Sequence, residues 1–352
     1  MLLQNGAPAL VLVGGFLGAG KTSLIIRAAS ILHDRGTRVA AITNDQAAGL
    51  VDTQWTEDAG IRTAEIDGGC FCCRFSEFVS QAEALLAYSP DIIFAEPVGS
   101  CTDLSATVLE PLRAIYGTRF RTAPLTVLVD PARMDSLLDA PSDIGYLFRK
   151  QVEEADIVCF TKSDLARNVP QLQGRAACRR ISAKTGEGVV AWLDEVLDGN
   201  TTVPRHLLDL DYQRYADAEA ALGWLNAVID LRLTDPAAPA TVVGPFMDDL
   251  DRLLTQSRAR IAHLKIFDRC SAGTLKAAIC GNGEEPQING DLAASAANCH
   301  VLTVNLRAEA EPETLSSVLD HAMRRWSGQS ELVNRRAFRP SPPRPEFRYS
   351  GT

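Results

Sequence analysis

The chain has 352 residues, of which 46% are hydrophobic, and it carries a formal net charge of −9. This length can bury a large core and predicts about two domains. The acidic balance and the lack of a basic run argue against a nucleic-acid-binding surface, which needs clustered Lys and Arg. No apolar segment approaches the roughly 20 residues that span a bilayer, so we expect a cytoplasmic protein without nucleic-acid or membrane partners. Its nine cysteines should then be mostly reduced.

Residues 1–205 alternate between short apolar runs and amphipathic segments. Alternating strands and helices predict an α/β domain whose mostly parallel sheet is covered by helices on both faces. The predicted strands are 9–13, 38–43, 91–95, 125–129, 157–161 and 180–183. The predicted helices are 21–32, 77–87, 144–154 and 189–197.

Residues 206–333 show a different pattern, which predicts a smaller C-terminal α+β domain. Its strands are predicted near 227–233, 261–267, 274–279 and 300–306, and its helices near 245–257 and 312–326. Residues 334–352 are rich in Arg and Pro with few aliphatic side chains, so this segment is predicted to be a mobile tail.

A phosphate-binding loop, GFLGAGKT, follows the first predicted strand and precedes the first predicted helix. Small residues allow consecutive backbone N–H groups to surround phosphate oxygens, and the helix points its positive end at them. Lys21 should reach the β- and γ-phosphates, and the Thr22 hydroxyl should bind Mg²⁺. The predicted phosphate-binding residues are Gly15, Gly18, Ala19, Gly20, Lys21, Thr22 and Ser23.

Two later segments at predicted strand ends suit a guanine base. In the sequence TKSD, Asp164 can accept both N–H donors on the guanine edge while Lys162 packs along the ring. In the sequence SAK, a backbone amide can meet the guanine oxygen. In this order after a phosphate loop, the two segments favour GTP over ATP. The predicted base-binding residues are Thr161, Lys162, Asp164, Ser182, Ala183 and Lys184.

Acidic residues near the predicted strand ends offer Mg²⁺ ligands. Glu96 follows the strand at 91–95, where its carboxylate can hold Mg²⁺ or orient the attacking water. Three residues later, the Gly99 N–H can sense the γ-phosphate. Asp45 and Asp52 lie in the segment after the second strand, where a switch loop is expected. Either residue could reach Mg²⁺ or the thiolates, since spacing fixes neither.

The sequence GGCFCC at residues 68–73 brings three cysteines together on a glycine-led loop. Their thiolates can converge on one soft or borderline cation such as Zn²⁺, Co²⁺ or Cu⁺ and leave a coordination position open. The alternatives are buried inert thiols and a redox pair. The other cysteines are scattered and are interpreted as core residues or bystanders, and the five histidines form no tract. The predicted ligands of the transferred metal are Cys70, Cys72 and Cys73.

The order of these motifs, GGFLGAGKT, GGCFCC, ExxG and TKSD, resembles that of the CobW-like metallochaperone GTPases. These are P-loop relatives of the GTPases that mature urease and nickel hydrogenase. The resemblance covers residues 9–200 and implies a GTP-hydrolysing carrier or insertase that delivers a metal, often zinc, to a client metalloprotein. It implies GTP and Mg²⁺ as ligands, catalytic roles for Lys21, Thr22 and Glu96, and dimerisation across the nucleotide face.

Three departures separate the chain from many members of that family. It reads NDQA at residues 44–47 instead of NEFG, which puts the role of Asp45 in question. Thr161 replaces the common Asn of the guanine motif, and the histidine-rich stretch of many members is missing. Two alternatives stay open: a nucleotide-gated metal sensor or scaffold without useful turnover, and a P-loop small-molecule kinase.

Overall fold

The computed structural model describes residues 6–46, 50–138, 142–165, 172, 176–198, 207–326 and 328–350. Its contacts divide the chain into two compact units. The first comprises Met1–Gln46, Asp52–Ala218 and Pro342–Thr352, and the second comprises Ala47–Val51 and Glu219–Ser341. The predicted boundary after residue 205 lies outside the described residues, and the division falls after Ala218.

The first unit is built on a parallel sheet with strand order β3-β2-β4-β1-β6-β7-β8, to which β5 adds by pairing with β1. The strands are β1 (Ala9–Gly15), β2 (Val39–Asn44), β3 (Arg62–Ile66), β4 (Ile92–Glu96), β5 (Arg121–Thr122), β6 (Thr126–Val129), β7 (Ile157–Phe160) and β8 (Ala177–Arg180). The helices are α1 (Lys21–Asp34), α2 (Val51–Asp58), α3 (Phe75–Leu85), α4 (Glu110–Tyr116), α5 (Pro131–Leu138), α6 (Asp143–Glu154), α7 (Val189–Leu197) and α8 (Tyr212–Ala220).

The core of this unit explains why the strands read as apolar runs. Every residue of the central strand β1 is buried, as expected for a strand covered on both faces. On one face α1 and α7 contribute apolar side chains, and the indole of Trp192 stacks on Phe94 at 6.3 Å. The Trp192 Nε1–H donates to Thr126 Oγ1 at 3.0 Å, which satisfies the one polar group of a fully buried side chain. The predicted α/β fold with a parallel sheet is thereby confirmed.

Two edge strands differ from the sequence-based prediction. β3 was not predicted, because its exposed and half-buried residues do not form an apolar run. β8 begins and ends three residues before the predicted strand at 180–183, because three of its four residues are exposed at the sheet edge. Ile181 is buried beyond the strand end, and this apolar residue accounts for the displaced prediction.

The second unit is a six-stranded antiparallel sheet with strand order β12-β11-β10-β13-β9-β14. Its strands are β9 (Gly223–Ala237), β10 (Arg260–Cys270), β11 (Gly273–Ile279), β12 (Gln287–Gly290), β13 (Ala297–Glu309) and β14 (Gly328–Phe338). Two helices, α9 (Pro239–Gln256) and α10 (Pro312–Met323), pack their apolar residues on the sheet and form one core with it. The predicted α+β class is confirmed. No helix in the described ranges is both long enough and apolar enough to cross a membrane.

The segment predicted as a tail, 334–352, is divided between the two units. Its first residues complete β14, which pairs with β9 up to Phe338. Residues 342–350 contact the first unit, and we call them the C-terminal strap. This assignment corrects the sequence-based one. Main-chain hydrogen bonds at a sheet edge and arginine ion pairs need few aliphatic side chains, so composition did not reveal them.

Candidate functional site

The phosphate loop joins the end of β1 to the start of α1. Gly15 has a φ of 132°, and a Cβ there would lie 2.6 Å from the carbonyl oxygen of Leu128, so only glycine fits. Gly18 and Gly20 also have positive φ, and Gly20 caps α1. Ala19 is buried in the loop, and Ser23 is half-buried in the first turn of α1. The backbone therefore has the form that the motif predicts, and its contact with phosphate stays a prediction.

Lys21 is the first residue of α1 and lies over this loop. Its ammonium group is buried and donates to the carbonyl oxygen of Gly15 at 2.8 Å. The charge is thus held next to the backbone that would surround the phosphates. This is the position from which a lysine can neutralise β- and γ-phosphate oxygens.

Oxygen ligands from three elements meet at Thr22. Its hydroxyl oxygen lies 2.8 Å from Asp52 Oδ1 of α2 and 3.1 Å from Glu96 Oε1 at the end of β4. A hydroxyl and two carboxylates are a ligand set that suits Mg²⁺. Asp45 comes directly after β2 and accepts a hydrogen bond from the Gln46 N–H at 2.6 Å, and its role at Mg²⁺ stays a prediction. Of the two aspartates considered from sequence, the structure places Asp52 against Thr22.

Gly99 follows β4 and packs directly on the phosphate loop. A Cβ at this position would lie 2.7 Å from Leu17 Cδ2 and 3.1 Å from the Leu17 backbone nitrogen. The absence of a side chain therefore allows the two backbones to approach closely. Phosphate binding at the loop and a displacement of Gly99 would affect each other through this contact.

The predicted base-binding segments follow β7 and β8 and meet each other. The Ser182 hydroxyl donates to Asp164 Oδ1 at 2.7 Å, which orients the carboxylate predicted to read guanine. Thr161 continues the sheet by donating its N–H to the Val129 carbonyl at 2.9 Å. Lys162 has a left-handed φ of 56°, and its ammonium group pairs with Asp130 Oδ2 at 2.6 Å.

Arg27 of α1 holds the second base-binding segment, residues 182–184, in place through hydrogen bonds to its backbone. Its guanidinium donates to the carbonyl oxygens of Ala183 at 2.7 Å and Lys184 at 2.6 Å. The helix that begins at the phosphate loop therefore also orients the backbone predicted to contact guanine. No sequence motif indicated Arg27 or Asp130, because both act on other protein groups.

The three clustered thiols converge, as the CxCC spacing predicts. Their sulfur atoms all lie within 4.8 Å of one another, with Cys70–Cys72 at 2.9 Å, Cys70–Cys73 at 3.1 Å and Cys72–Cys73 at 3.7 Å. All three are free cysteines. It is the one such group of potential metal ligands within the described ranges.

The cluster is arranged to share one negative charge. Hydrogen bonds from the thiols of Cys101, Cys72 and Cys73 hold the pKa of Cys70 well below its usual value, although burial opposes this. The same contacts with Cys70 raise the pKa of Cys72 well above its usual value and that of Cys73 to about 12. The thiolate is the form of cysteine that binds metal ions, and Cys70 is the one of the three whose pKa is lowered.

Asn44, the last residue of β2, positions the thiolate loop. Its Nδ2 donates to the carbonyl oxygens of Ile66 at 3.0 Å and Gly69 at 2.7 Å. Its Oδ1 accepts the Phe71 N–H at 3.0 Å. One side chain therefore satisfies three backbone groups on both sides of Cys70 and fixes the loop to the end of β2.

The C-terminal strap covers part of this loop. The Arg344 N–H donates to Cys73 Sγ at 3.1 Å, and the Glu346 N–H donates to the Cys72 carbonyl oxygen at 2.9 Å. The Phe347 ring lies 5.3 Å from that of Phe75. The sequence prediction missed this cover, because its partners lie about 270 residues away in the chain.

Arg348 anchors the strap to the segment after β4. Its Nε pairs with Asp103 Oδ2 at 2.7 Å, and its Nη2 donates to the Leu208 carbonyl oxygen at 2.9 Å. Asp103 is buried and also accepts a hydrogen bond from the Tyr212 hydroxyl at 2.7 Å. The strap is thus tied to the same stretch of chain that carries Gly99.

Comparison with known proteins places the chain among relatives named for zinc. The zinc chaperones YjiA and YeiR of Escherichia coli (strain K12) are 29% identical over 187 residues and 30% identical over 223 residues. These alignments cover 50% and 60% of this chain and 55% and 61% of the two relatives, so the chain spans little more than half of their length. The crystal structure of HypB from Helicobacter pylori in complex with nickel aligns with 55% of this chain and 87% of that chain, at 16% identity and a TM-score of 0.41.

The family assignment comes from the nucleotide-binding half of the chain. The family described as "CobW/HypB/UreG, nucleotide-binding domain" matches residues 9–186, which contain the phosphate loop, the thiolate loop and both predicted base-binding segments. Because this match covers half of the 352 residues, the chain belongs to the CobW/HypB/UreG family.

Proposed function

We propose that this protein is a GTP-hydrolysing metal carrier of the cytoplasm. It binds a transition metal, zinc first among the candidates, through Cys70, Cys72 and Cys73 and delivers it to a client protein under nucleotide control. The family, the names of the relatives and the convergent thiols support this proposal.

The observation that carries the proposal is the connection through β2. Asn44 ends this strand and holds the thiolate loop through three hydrogen bonds. Farther along the chain, α2 brings Asp52 to within 2.8 Å of the Thr22 hydroxyl beside the phosphate loop. The hydroxyls of Thr43 in β2 and Thr53 in α2 lie 2.8 Å apart, next to Asn44 and Asp52. A change at the phosphates that moves Asp52 would therefore reach Asn44 and the metal-binding thiols through this contact.

The residues at the phosphate loop suit slow phosphoryl transfer to water. Lys21 and the loop N–H groups stabilise negative charge on the transferring group, and this stabilisation is the main protein contribution to such reactions. Thr22, Asp52 and Glu96 would hold Mg²⁺, which neutralises charge on the β- and γ-phosphate oxygens when bound. Glu96 also stands at the strand end from which a carboxylate can orient the attacking water.

The thiolate loop suits a soft or borderline cation. Around a tetrahedral zinc with Zn–S bonds of about 2.3 Å, sulfur atoms lie about 3.8 Å apart. The Cys72–Cys73 separation of 3.7 Å already matches this value. The two shorter separations, 2.9 and 3.1 Å, need to open by less than about 1 Å. The cation is the carried substrate, and three sulfur ligands bind it without a fourth protein group from the same loop.

The test is a zinc titration of the wild-type chain and Cys72→Ser, each with GDP or a slowly hydrolysed GTP analogue. We expect the zinc affinity of the wild type to differ between the two nucleotides. With either nucleotide, the zinc affinity of Cys72→Ser should be lower than that of the wild type by about 100-fold or more, because loss of a group outside the ligand shell already lowers metal affinity by about 10- to 100-fold. Phosphate release from GTP and from ATP, measured on the same samples, should show a preference for GTP.

Three outcomes would contradict the proposal. Equal zinc affinities in all four samples would remove both the thiolate site and its coupling to nucleotide. Stoichiometric GTP binding without phosphate release would leave a nucleotide-gated sensor or scaffold, and phosphate transfer from ATP to a small acceptor would indicate a kinase.

A further inference from the structure

We propose that Cys101 supplies a fourth sulfur ligand to the metal held by Cys70, Cys72 and Cys73, and that it does so from the segment that follows β4. This inference rests on the proposed metal-carrier function and extends it. It identifies the ligand that connects the metal to the phosphate-sensing part of the chain.

The first argument is the position of the Cys101 thiol. Cys101 is distant in sequence from the CxCC loop, yet its thiol forms a hydrogen bond with Cys70 Sγ. Cys101 is buried, with only 1% of its surface exposed. Cys101 lies outside the set of sulfurs that are all within 4.8 Å of one another. It therefore contacts the cluster on the Cys70 side and would complete a four-sulfur set by moving toward Cys72 and Cys73.

The second argument is the chemistry of ligand number. Three thiolates leave a zinc ion with an open position, whereas four close the tetrahedron in the manner of a structural site. A carrier needs tight binding in one state and access for an acceptor ligand in another. A fourth thiolate on a different segment provides both, because withdrawing one sulfur opens the site while three remain bound.

The third argument is the segment on which Cys101 lies. Gly99, two residues earlier, packs on Leu17 of the phosphate loop. The Gln151 Nε2 donates to the carbonyl oxygens of both Gly99 and Cys101, at 2.9 Å each, and is itself buried. This clamp makes the short stretch from 99 to 101 move as one piece. A γ-phosphate that displaces Gly99 will therefore change the distance between the Cys101 sulfur and the metal.

The direct test is zinc X-ray absorption on the full-length chain, loaded with one equivalent of zinc and either GDP or a slowly hydrolysed GTP analogue. We expect four sulfur neighbours in the wild type with the nucleotide that gives the higher zinc affinity. We expect three sulfurs and one oxygen or nitrogen with Cys101→Ala. The matched control is Cys159→Ala, which removes another buried thiol of the same unit from β7 and should keep four sulfurs.

Zinc affinity, measured by competition with a chromophoric chelator, gives the second readout. Cys101→Ala should lower it by about 10-fold or more and should reduce the difference between the two nucleotides, while Cys159→Ala leaves both unchanged. If zinc in the wild type has three sulfur neighbours with both nucleotides, the assignment of Cys101 as a ligand is overturned. This outcome does not depend on whether Cys101→Ala folds.

The two proposals fail in different ways. If Cys72→Ser loses zinc while Cys101→Ala binds it like the wild type, the carrier function stands and the role of Cys101 is refuted. If Cys72→Ser binds zinc like the wild type, the thiolate site itself is refuted, and the role of Cys101 is refuted with it.

Discussion

The two units bury titratable side chains in different ways. In the second unit, Asp268 and His300 lie on the neighbouring strands β10 and β13, with Asp268 Oδ2 2.7 Å from His300 Nδ1. His300 Nε2 faces the Ala297 carbonyl oxygen at 3.1 Å. Both ring nitrogens meet oxygen atoms. Although burial opposes it, Asp268 raises the pKa of His300, while burial also raises the pKa of Asp268. In the first unit, Glu96 instead lies at the end of the parallel strand β4, and Cys70 lies on the loop that follows β3.

This difference distinguishes a structural polar cluster from a functional one. The Asp268–His300 pair lies within a sheet, where both side chains are buried and His300 faces the carbonyl oxygen of Ala297 on its own strand. Glu96 and Cys70 lie where strands end and loops begin, which is where ligands bind in open parallel sheets. Burial alone is common to both clusters, and location relative to the sheet separates them.

We expect the greatest loss of stability when the Asp268–His300 pair is disrupted. His300→Ala leaves the Asp268 carboxylate buried without its charged partner, which should lower the free energy of unfolding by about 3–5 kcal/mol. His321→Ala, at an exposed position of α10, should change it by about 0.5 kcal/mol or less. Chemical denaturation of both variants measures this. Zinc and nucleotide stoichiometry of folded His300→Ala should equal that of the wild type, and loss of either would contradict the structural interpretation.

A second substitution tests the phosphate loop of the first unit. Lys21→Ala removes a buried ammonium group from the loop and should weaken GTP binding by roughly 100-fold or more, since loss of one partner of a buried charge pair costs about 2–5 kcal/mol. Zinc binding without nucleotide should be retained. Binding of a fluorescent GTP derivative measures the effect, with Lys150→Ala, whose ammonium group pairs with Glu153, as the control. Unchanged GTP affinity in Lys21→Ala would refute the assignment of the loop.

The stability of the first unit should also depend on pH through the buried acid Glu154. Burial, together with the nearby Asp103 charge, raises the pKa of Glu154 to about 8. The folded chain therefore keeps a proton that the unfolded chain releases near pH 4.5. Stability should fall as pH rises from about 4.5 to 8, by at most about 1.4 kcal/mol per pH unit from this group.

Glu154→Gln tests this pH dependence, since the amide cannot ionise. Its free energy of unfolding should vary less than that of the wild type between pH 5 and 8. The neighbouring Glu153→Gln, a half-exposed partner of Lys150, is the matched control and should keep the wild-type slope. Identical slopes for Glu154→Gln and the wild type would show that Glu154 is ionised in the folded chain.

The smallest expected effect concerns the C-terminal strap. A chain ending at Ser341 lacks the Arg344 N–H that donates to Cys73 Sγ. We expect the metal-free thiols to react about 2- to 10-fold faster with a chromogenic disulfide, which corresponds to one hydrogen bond of about 0.5–1.5 kcal/mol. The thiols of Phe347→Ala, which loses the ring contact with Phe75, should react at a rate between those of the wild type and the shortened chain. Equal rates in all three chains would show that the strap does not protect the loop.

The sequence predicted those features that depend on local chain geometry. The phosphate loop needs glycines at fixed positions, so its form follows from spacing, as the positive φ of Gly15 and Gly20 confirms. The CxCC spacing likewise brings three sulfurs together on one turn of chain. The parallel sheet followed from the alternation of apolar runs and amphipathic helices, because its central strands are buried on both faces.

Features that depend on tertiary contacts were not predictable. The approach of Asp52 to Thr22 depends on where α2 begins, and spacing in the sequence did not fix this. The contact of Cys101 with Cys70 depends on the path of the chain after β4, and nothing in the spacing of the two residues indicates it. β14 pairs through backbone groups, which every sequence offers, and the strap adds side-chain contacts such as Arg348 with Asp103 whose partners are distant in sequence. A segment rich in Arg and Pro therefore gave no sign of either.

The central claim is that nucleotide and metal binding are energetically coupled within the first unit. Its most direct test is the affinity for a slowly hydrolysed GTP analogue, measured with and without one equivalent of zinc on the full-length chain. Linkage requires zinc to change the analogue affinity by the same factor by which the analogue changes zinc affinity, and a coupling of about 1–3 kcal/mol corresponds to about 5- to 150-fold. Analogue affinities that are equal with and without bound zinc would contradict the claim.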